Sequence, residues 1–177
     1  DSSIAHSLPL FKESLKSKIA IVGLGRSGIG AAKLLNEEGH QVIVFESGEG
    51  ANFKTHAENL KSKGIKVELG KPLEISSFVP WLNQLESVVI SPAIPWDHKT
   101  LKGLRREGIN VIGEIALAWE RLKHLPWVGI TGTNGKTTVT HMLSHVFESN
   151  QLNAPMGGNV GNSAAEIAFN CLKTNQK

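Results

Sequence analysis

Residues 126–138 constrain the fold of this chain more than any other segment. They read Pro-Trp-Val-Gly-Ile-Thr-Gly-Thr-Asn-Gly-Lys-Thr-Thr. Residues 128–130 predict the end of a buried strand, residues 131–135 a turn of small residues, and Lys136 the start of a helix. A strand, a glycine turn and a helix N-terminus form an anion site, because free backbone N–H groups and the helix dipole point at one spot. The segment therefore predicts an α/β fold with a nucleoside-triphosphate loop.

The chemistry of this loop suits a phosphate and a metal ion. Its glycines let the backbone approach a phosphate, Lys136 adds a positive point charge, and a hydroxyl can ligate Mg²⁺. The general pattern has a glycine five residues before Gly135, where Ile130 stands. An ordinary glycine turn is therefore the alternative interpretation.

A second strand–turn–helix unit lies near the start of the chain. A short apolar strand, residues 18–22, is followed by Gly23-Leu24-Gly25-Arg26-Ser27-Gly28 and by a helix that ends at Gly39. A second apolar strand, residues 41–45, ends at Glu46. A glycine turn after the first strand and an acid at the tip of the second are typical of nucleotide-binding β-α-β units. Glu46 could accept hydrogen bonds from a ribose or a base, and the alternative is a solvated strand-end carboxylate.

Strands and helices go on alternating as far as residue 112. The predicted segments are a loop at 47–56, helices at 55–63, 97–107 (capped by Asp97) and 113–125, and strands at 65–69, 87–90 and 110–112. This alternation predicts one parallel, Rossmann-like α/β domain. We place a lead-in at 1–17, that domain at 18–122, and the beginning of a P-loop α/β domain at 123–177.

Two prolines bracket the turn at residues 91–95, which follows a predicted strand. Ligands of open α/β sheets bind at the carboxyl ends of the strands, so this rigid turn is a candidate ligand contact. A plain rigid turn is equally consistent with the sequence.

Length, net charge, apolar runs and cysteine count limit the kinds of partner and compartment that we expect for this chain. With 177 residues and 40% hydrophobic content, the chain can bury one core or two small ones. The net charge of +3 comes without a basic run, so we expect no nucleic-acid partner. No apolar run approaches about 18 residues, and we expect no membrane partner. The lone Cys171 suits a reducing, cytoplasmic compartment. The opening residues lack the basic and apolar regions of a signal peptide, and the first residue is not Met, so we expect a processed chain or a fragment.

Residues 130–138 resemble the ATP loop of the Mur ligases, which build the peptide stem of peptidoglycan. That family uses the short form Thr-Gly-Thr-Asn-Gly-Lys-Thr, which accounts for Ile130. Gly158-Asn159-Val160-Gly161 resembles the family's next substrate-side turn. The glycine-turn first domain, the turn at 91–95 and Gly113-Glu114-Ile115 are similar to the branch that adds D-glutamate. Ala93 departs from that branch, where glycine is common.

The resemblance implies a role for each candidate residue. The first domain would bind a UDP-sugar rather than NAD. The diphosphate would lie at the glycine turn of Gly25, Arg26 and Ser27. The uridine would lie at the strand ends, near Glu46, Ser47, Ser91 and Pro92, and the muramoyl part would lie near Asn159. Arg26 and Ser27 would act through their backbone N–H groups. ATP would be held by Gly132, Thr133, Asn134, Gly135, Lys136, Thr137 and Thr138. Lys136 would be the catalytic residue and Thr137 the Mg²⁺ ligand.

The implied reaction is the ATP-dependent addition of D-glutamate to UDP-N-acetylmuramoyl-L-alanine through an acyl phosphate, by a cytoplasmic monomer. We expect this chain alone to be inactive, because the family's acidic Mg²⁺ ligand, modified lysine, histidine and D-glutamate domain match no position in it. Two alternatives stay open. One is an NAD-binding oxidoreductase built on the first glycine turn and Glu46. The other is a non-catalytic nucleotide-binding fragment.

Overall fold

The computed structural model describes residues 18–174, so the predicted lead-in at 1–17 and residues 175–177 lie outside the described residues. Within that range the strands are β1 Lys18–Val22, β2 Gln41–Phe45, β3 Lys66–Glu68, β4 Leu85–Ile90 and β5 Asn110–Gly113. The α-helices are α1 Arg26–Glu37, α2 Ala51–Lys61, α3 Ile75–Phe78, α4 Lys99–Arg106, α5 Glu114–Leu122, α6 Lys136–Ser149 and α7 Ala164–Thr174. A 3₁₀ helix, Val79–Gln84, links α3 to β4.

The five strands form one parallel sheet in the order β3-β2-β1-β4-β5, which confirms the predicted parallel α/β fold. The chain builds outward from β1 to β2 and β3, then crosses to β4 on the other side of β1. Val22 lies opposite both Phe45 and Ile90, and Ile90 lies opposite Gly113. The carboxyl ends of β1, β2, β4 and β5 therefore lie along one edge, and the switch point between β1 and β4 is where such sheets bind ligands.

Both faces of the sheet are covered, because side chains alternate between the faces along each strand. Ile19 and Ile21 of β1 lie in a core cluster with residues of α1, α5 and α7. Ala20 and Val22 lie in the opposite cluster, with residues of α3 and α4. This burial on two sides explains why the strands read as continuous apolar runs.

Two predicted helix starts are wrong. α2 begins at Ala51, so the loop predicted for residues 47–56 ends early. Its first turn carries Phe53, which packs against the core and ties down a segment whose small polar residues suggested a loop. α4 begins at Lys99, and its N-cap is His98 rather than Asp97. The Nδ1 atom of His98 accepts a hydrogen bond from the Thr100 N–H group at 3.3 Å.

Residues 128–130 do not form the predicted strand. Val128 is 62% exposed, and the segment joins no strand of the described sheet. A strand needs a neighbour to satisfy its backbone N–H and C=O groups, and an apolar sequence alone does not supply one. The helix predicted to begin at Lys136 is present as α6, and none of its residues is buried.

α7 packs on the helices of the first domain, mainly on α1 and α5. Its buried residues Ala164, Ala165 and Ala168 allow a close approach. Gly30 of α1 is needed there, because a Cβ atom at this position would lie 2.9 Å from the Glu166 backbone nitrogen. The turn that precedes α7 is thereby held near the first domain. The predicted boundary between residues 122 and 123 stays a prediction.

Candidate functional site

The first glycine turn joins β1 to α1 and depends on two of its glycines. Gly23 has a φ of +98°, and its N–H group donates to the Phe45 carbonyl at 2.8 Å. A Cβ atom on Gly28 would lie 1.9 Å from the Gly23 carbonyl oxygen. Gly25 differs, because its φ of −85° suits any residue and a Cβ atom there would meet no atom within 4 Å. The turn is therefore rigid, and it is open at Gly25.

The N-terminus of α1 offers hydrogen-bond donors beside Gly25. The Ile29 N–H group closes the helical bond to the Gly25 carbonyl at 2.9 Å, so the N–H groups of Arg26, Ser27 and Gly28 precede the helical ladder. The first turn of α1 contains no acidic residue. Twelve aligned peptide dipoles favour an anion at this end.

Glu46 is fixed in place rather than freely solvated. Its Oε2 atom accepts a hydrogen bond from the Leu24 N–H group at 2.7 Å, which ties the glycine turn to the end of β2. Its Oε1 atom accepts from the Gly48 N–H group at 2.8 Å and from the Ser47 hydroxyl at 3.2 Å. The oriented carboxylate keeps lone pairs for a further donor, which is what a ribose or a base would present.

Ser91 and Pro92 line an open pocket of about 390 Å³ at the carboxyl ends of β4 and β5. Gly113 and Glu114 form another part of its lining. Two strand spacings separate the ends of β2 and β4, about 10 Å, so this pocket and Glu46 flank the glycine turn. The structure thus places all the predicted first-domain residues along one sheet edge.

The predicted turn around Asn159 comes to the same edge through the side chain of Arg26. The Nη1 atom of Arg26 donates to the Gly161 carbonyl at 2.6 Å, and its Nη2 atom donates to the Asn159 carbonyl at 3.3 Å. Gly158 and Gly161 have φ values of +109° and +75°, which favour glycine. The resemblance implied a role only for the backbone N–H group of Arg26, and the bridging role of its guanidinium was missed.

Glu114 begins α5 directly after β5, at a position to which the sequence patterns assign no role of its own. It is 2% exposed, and its Oε1 atom accepts a hydrogen bond from the Ala165 N–H group at 2.6 Å. Burial raises the pKa of Glu114, while the hydrogen bonds from Ala165 and Ser163 oppose that rise. An acid in the first turn of a helix, directly after a strand end, was the available signal.

The predicted ATP loop has the geometry of a helix N-terminus that follows a glycine turn. Gly135 is the N-cap of α6 with a φ of +75°, and Gly132 has a φ of +147°. The Lys136 ammonium group folds back to donate to the Gly132 carbonyl, and to the Thr133 carbonyl at 3.4 Å. The loop is exposed, and both of these bonds stay within it.

The donors of this loop fit a nucleotide-borne Mg²⁺ ion better than a protein-held one. Thr137 supplies one hydroxyl oxygen in the first turn of α6. Residues 18–174 contain no group of three or more His, Cys, Asp or Glu side chains placed to hold a metal. Mg²⁺ commonly takes one or two protein ligands and completes its octahedron with phosphates and water. Across the same range, no helix combines the length and apolar character needed to span a bilayer.

Family comparison decides what kind of protein carries this site. Residues 17–113 match the model of the Mur ligase MurD-like N-terminal domain, which is more than half of the chain. The chain belongs to the Mur ligase family. Residues 130–176 match the Mur ligase middle domain, which covers the ATP loop, α6 and α7.

Curated relatives agree with that assignment. The chain is 60% identical over 159 residues to the UDP-N-acetylmuramoylalanine–D-glutamate ligase of Prochlorococcus marinus strain MIT 9313, covering 90% of this chain and 35% of the relative. It is also 60% identical over 154 residues to the ligase of the same name from Parasynechococcus marenigrum, covering 87% of this chain and 33% of the relative. The chain thus spans about a third of the length of these relatives.

Solved structures agree on the fold. The UDP-N-acetylmuramate:L-alanyl-γ-D-glutamyl-meso-diaminopimelate ligase of Neisseria meningitides superposes with a TM-score of 0.52 at 22% identity, covering 83% of this chain and 46% of that one. The murein peptide ligase of Psychrobacter arcticus gives 0.51 at 20% identity, covering 81% and 30%. This Mur ligase chain therefore has the fold of its family across most of its length.

Proposed function

We propose that this chain forms the UDP-sugar site and the ATP loop of a ligase that adds D-glutamate to UDP-N-acetylmuramoyl-L-alanine in peptidoglycan synthesis. The observation that carries the proposal is the Arg26 bridge, which joins the glycine turn at the switch point to the Asn159 turn. A site with a diphosphate end and an adjoining sugar end suits a UDP-sugar. The names of the relatives at 60% identity support this substrate.

Each part of the sheet edge then contacts one part of the nucleotide sugar. The N–H groups of Arg26 and Ser27, with the open position at Gly25, receive the diphosphate. Glu46 and Ser47 face the uridine from the end of β2. The remaining contacts come from the pocket of Ser91 and Pro92 on the uracil side and from Asn159 on the muramoyl side.

The ATP loop supplies the phosphoryl-transfer half of the proposed reaction. Backbone N–H groups from Gly132 to Thr138 would receive the phosphates of ATP. The Lys136 ammonium group leaves the Gly132 carbonyl and neutralises negative charge on the transferring phosphoryl group. Thr137 would help hold Mg²⁺, which when bound supplies further charge neutralisation. The L-alanyl carboxylate receives the phosphoryl group, and the D-glutamate amine displaces phosphate to form the amide.

The setting of this reaction is part of the same proposal. We infer a cytoplasmic protein that acts as a monomer, without a nucleic-acid or membrane partner. One cysteine and a small net charge without a basic run support that setting.

Calorimetric titration of the purified chain tests the UDP-sugar site. UDP-N-acetylmuramoyl-L-alanine and UDP are expected to bind, and the sugar nucleotide more tightly because only it reaches Asn159. NAD⁺ is expected not to bind. Binding of NAD⁺ in place of UDP would favour an oxidoreductase domain, and binding of ATP alone would favour a non-catalytic nucleotide-binding unit.

A further inference from the structure

Glu114 lies where the base pocket meets α7. It is the first residue of α5, directly after β5, and it forms part of the lining of the pocket that contains Ser91 and Pro92. Its side chain is almost fully buried, and its Oε1 atom accepts the 2.6 Å hydrogen bond from the Ala165 N–H group. One carboxylate therefore joins the end of β5 to a helix that begins 50 residues further along the chain.

The hydrogen bond between Glu114 and the Ala165 N–H group places a carboxylate at the N-terminus of α7. The first N–H groups of a helix have no partner in the helical ladder, and the helix dipole favours a negative charge there. Ser163 takes one of these groups, because its Oγ atom accepts from the Glu166 N–H group at 3.1 Å. Glu114 takes the Ala165 N–H group. The start of α7 is thus capped both by its own N-cap residue and by a side chain of the first domain.

The capped end of α7 follows the Asn159 turn directly. Arg26 holds the turn at the Asn159 and Gly161 carbonyls, and Glu114 holds the chain four residues later at Ala165. An isolated bridge between Gly157 and Asn162 closes the turn itself. Rotation or retreat of the start of α7 would move this short segment, because so few residues separate its two anchors.

We infer that Glu114 is a positioning residue that fixes the start of α7 and so presents the Asn159 turn to the sugar end of the nucleotide site. Its carboxylate links the base pocket to the turn that contacts the sugar. The identity of the sugar nucleotide rests on the proposed function, whereas the link between Glu114 and α7 rests on the contacts alone.

Amide hydrogen exchange without ligand tests the link. In Glu114→Ala, exchange at Ala165 and in the first turn of α7 is expected to rise about tenfold, while β1 stays protected. Glu114→Gln keeps an acceptor oxygen and is expected to restore the protection. Lys33→Met is the matched control: it removes the 3.2 Å ion pair between Lys33 of α1 and Glu166 of α7, another contact to the start of α7, and exchange at Ala165 is expected to stay unchanged.

Wild-type exchange at Ala165 in Glu114→Ala would overturn the inference. Glu114→Asp is the second variant, for use if the alanine variant does not fold. Its carboxylate is one methylene shorter and cannot keep the 2.6 Å bond, so exchange is expected to rise there as well.

Affinity for two ligands tests the positioning role. Glu114→Ala is expected to bind UDP-N-acetylmuramoyl-L-alanine about tenfold more weakly and to lose clearly less affinity for UDP, which reaches the pocket that Glu114 lines but not the Asn159 turn. Glu114→Gln is expected to recover the affinity for both ligands. An equal loss for both ligands would indicate general damage to the nucleotide site and would overturn the role, as would no loss for either. Failure of the wild-type chain to bind either ligand would refute the proposed function and the positioning role together, while the exchange experiment would still decide the link.

Discussion

A negative charge at Gly25 is expected to block the diphosphate without harming the fold. Gly25 is the N-cap of α1, with φ of −85° and ψ of −175°, a conformation open to any residue. A Cβ atom there would contact no atom within 4 Å. Aspartate is a preferred N-cap residue, so Gly25→Asp is expected to change the free energy of unfolding by less than about 1 kcal/mol.

The loss of affinity follows from charge repulsion. Two unit charges about 4 Å apart repel by about 1 kcal/mol in water and about 4 kcal/mol at an effective dielectric constant of about 20. Gly25 is exposed, so the true value lies toward the lower limit, and a diphosphate carries more than one charge. The aspartate also competes for the N–H groups at the start of α1. We expect UDP-N-acetylmuramoyl-L-alanine to bind Gly25→Asp at least about tenfold more weakly than wild type.

Calorimetric titration of Gly25→Asp and Gly25→Asn separates the effect of the added charge on affinity from the effect of the added side-chain volume. Gly25→Asn has nearly the same shape and caps the helix without a charge, so it is expected to lose less affinity than Gly25→Asp. The difference between the two variants is expected to shrink as salt rises from about 0.01 M to 1 M, because screening shortens the reach of the charge. Wild-type affinity in a folded Gly25→Asp variant, checked by circular dichroism, would refute the placement of the diphosphate.

The remaining predictions concern the ATP loop and the stability of the chain. Lys136→Ala is expected to weaken ATP binding about tenfold. Lys123→Ala removes an exposed lysine outside the loop and is expected to leave ATP affinity unchanged. Equal ATP affinity in the two variants would count against a role for Lys136. Gly28→Ala is expected to lower the free energy of unfolding by about 1–3 kcal/mol, because its Cβ atom would meet the Gly23 carbonyl. Urea denaturation measures this change, and an unfolding midpoint equal to that of wild type would contradict the packing. Because burial raises the pKa of Glu114 above its ordinary value of 4.5, the folded chain keeps that proton to a higher pH than the unfolded chain does. The free energy of unfolding should therefore fall as pH rises from 4.5 through the raised pKa, and Glu114→Gln should remove that part of the slope; an unchanged slope would show that Glu114 does not titrate in this way.

Local patterns were sufficient to predict the sheet. β1 and β2 are buried on both faces and end at glycine or a polar residue, so their apolar runs stood out in the sequence. The residues at the carboxyl ends could then be placed together, since parallel strands share one edge. The alternation of strands and helices predicted a parallel sheet without any knowledge of side-chain contacts, whereas the strand order came from the structure.

Contacts between distant segments could not be predicted. Arg26 lies more than 130 residues from the carbonyl groups that it bridges, and Glu114 lies 51 residues from Ala165. Neither pairing leaves a periodic trace in the sequence. The strand predicted at residues 128–130 failed for a related reason, because strand formation depends on a neighbouring strand that composition does not reveal.

The most direct test of a joint UDP-sugar site is residue-resolved NMR of the backbone amides during titration with UDP-N-acetylmuramoyl-L-alanine. We predict that shifts appear together at the glycine turn, the ends of β2 and β4 and the sugar-side turn, in Gly25, Ser27, Glu46, Ser91 and Asn159. UDP alone should shift the amide signals of Gly25, Ser27, Glu46 and Ser91 and leave that of Asn159 nearly unchanged. The proposed site would be contradicted if saturating sugar nucleotide left the amide signals of the glycine turn unchanged, or if it shifted only amides that lie away from this sheet edge.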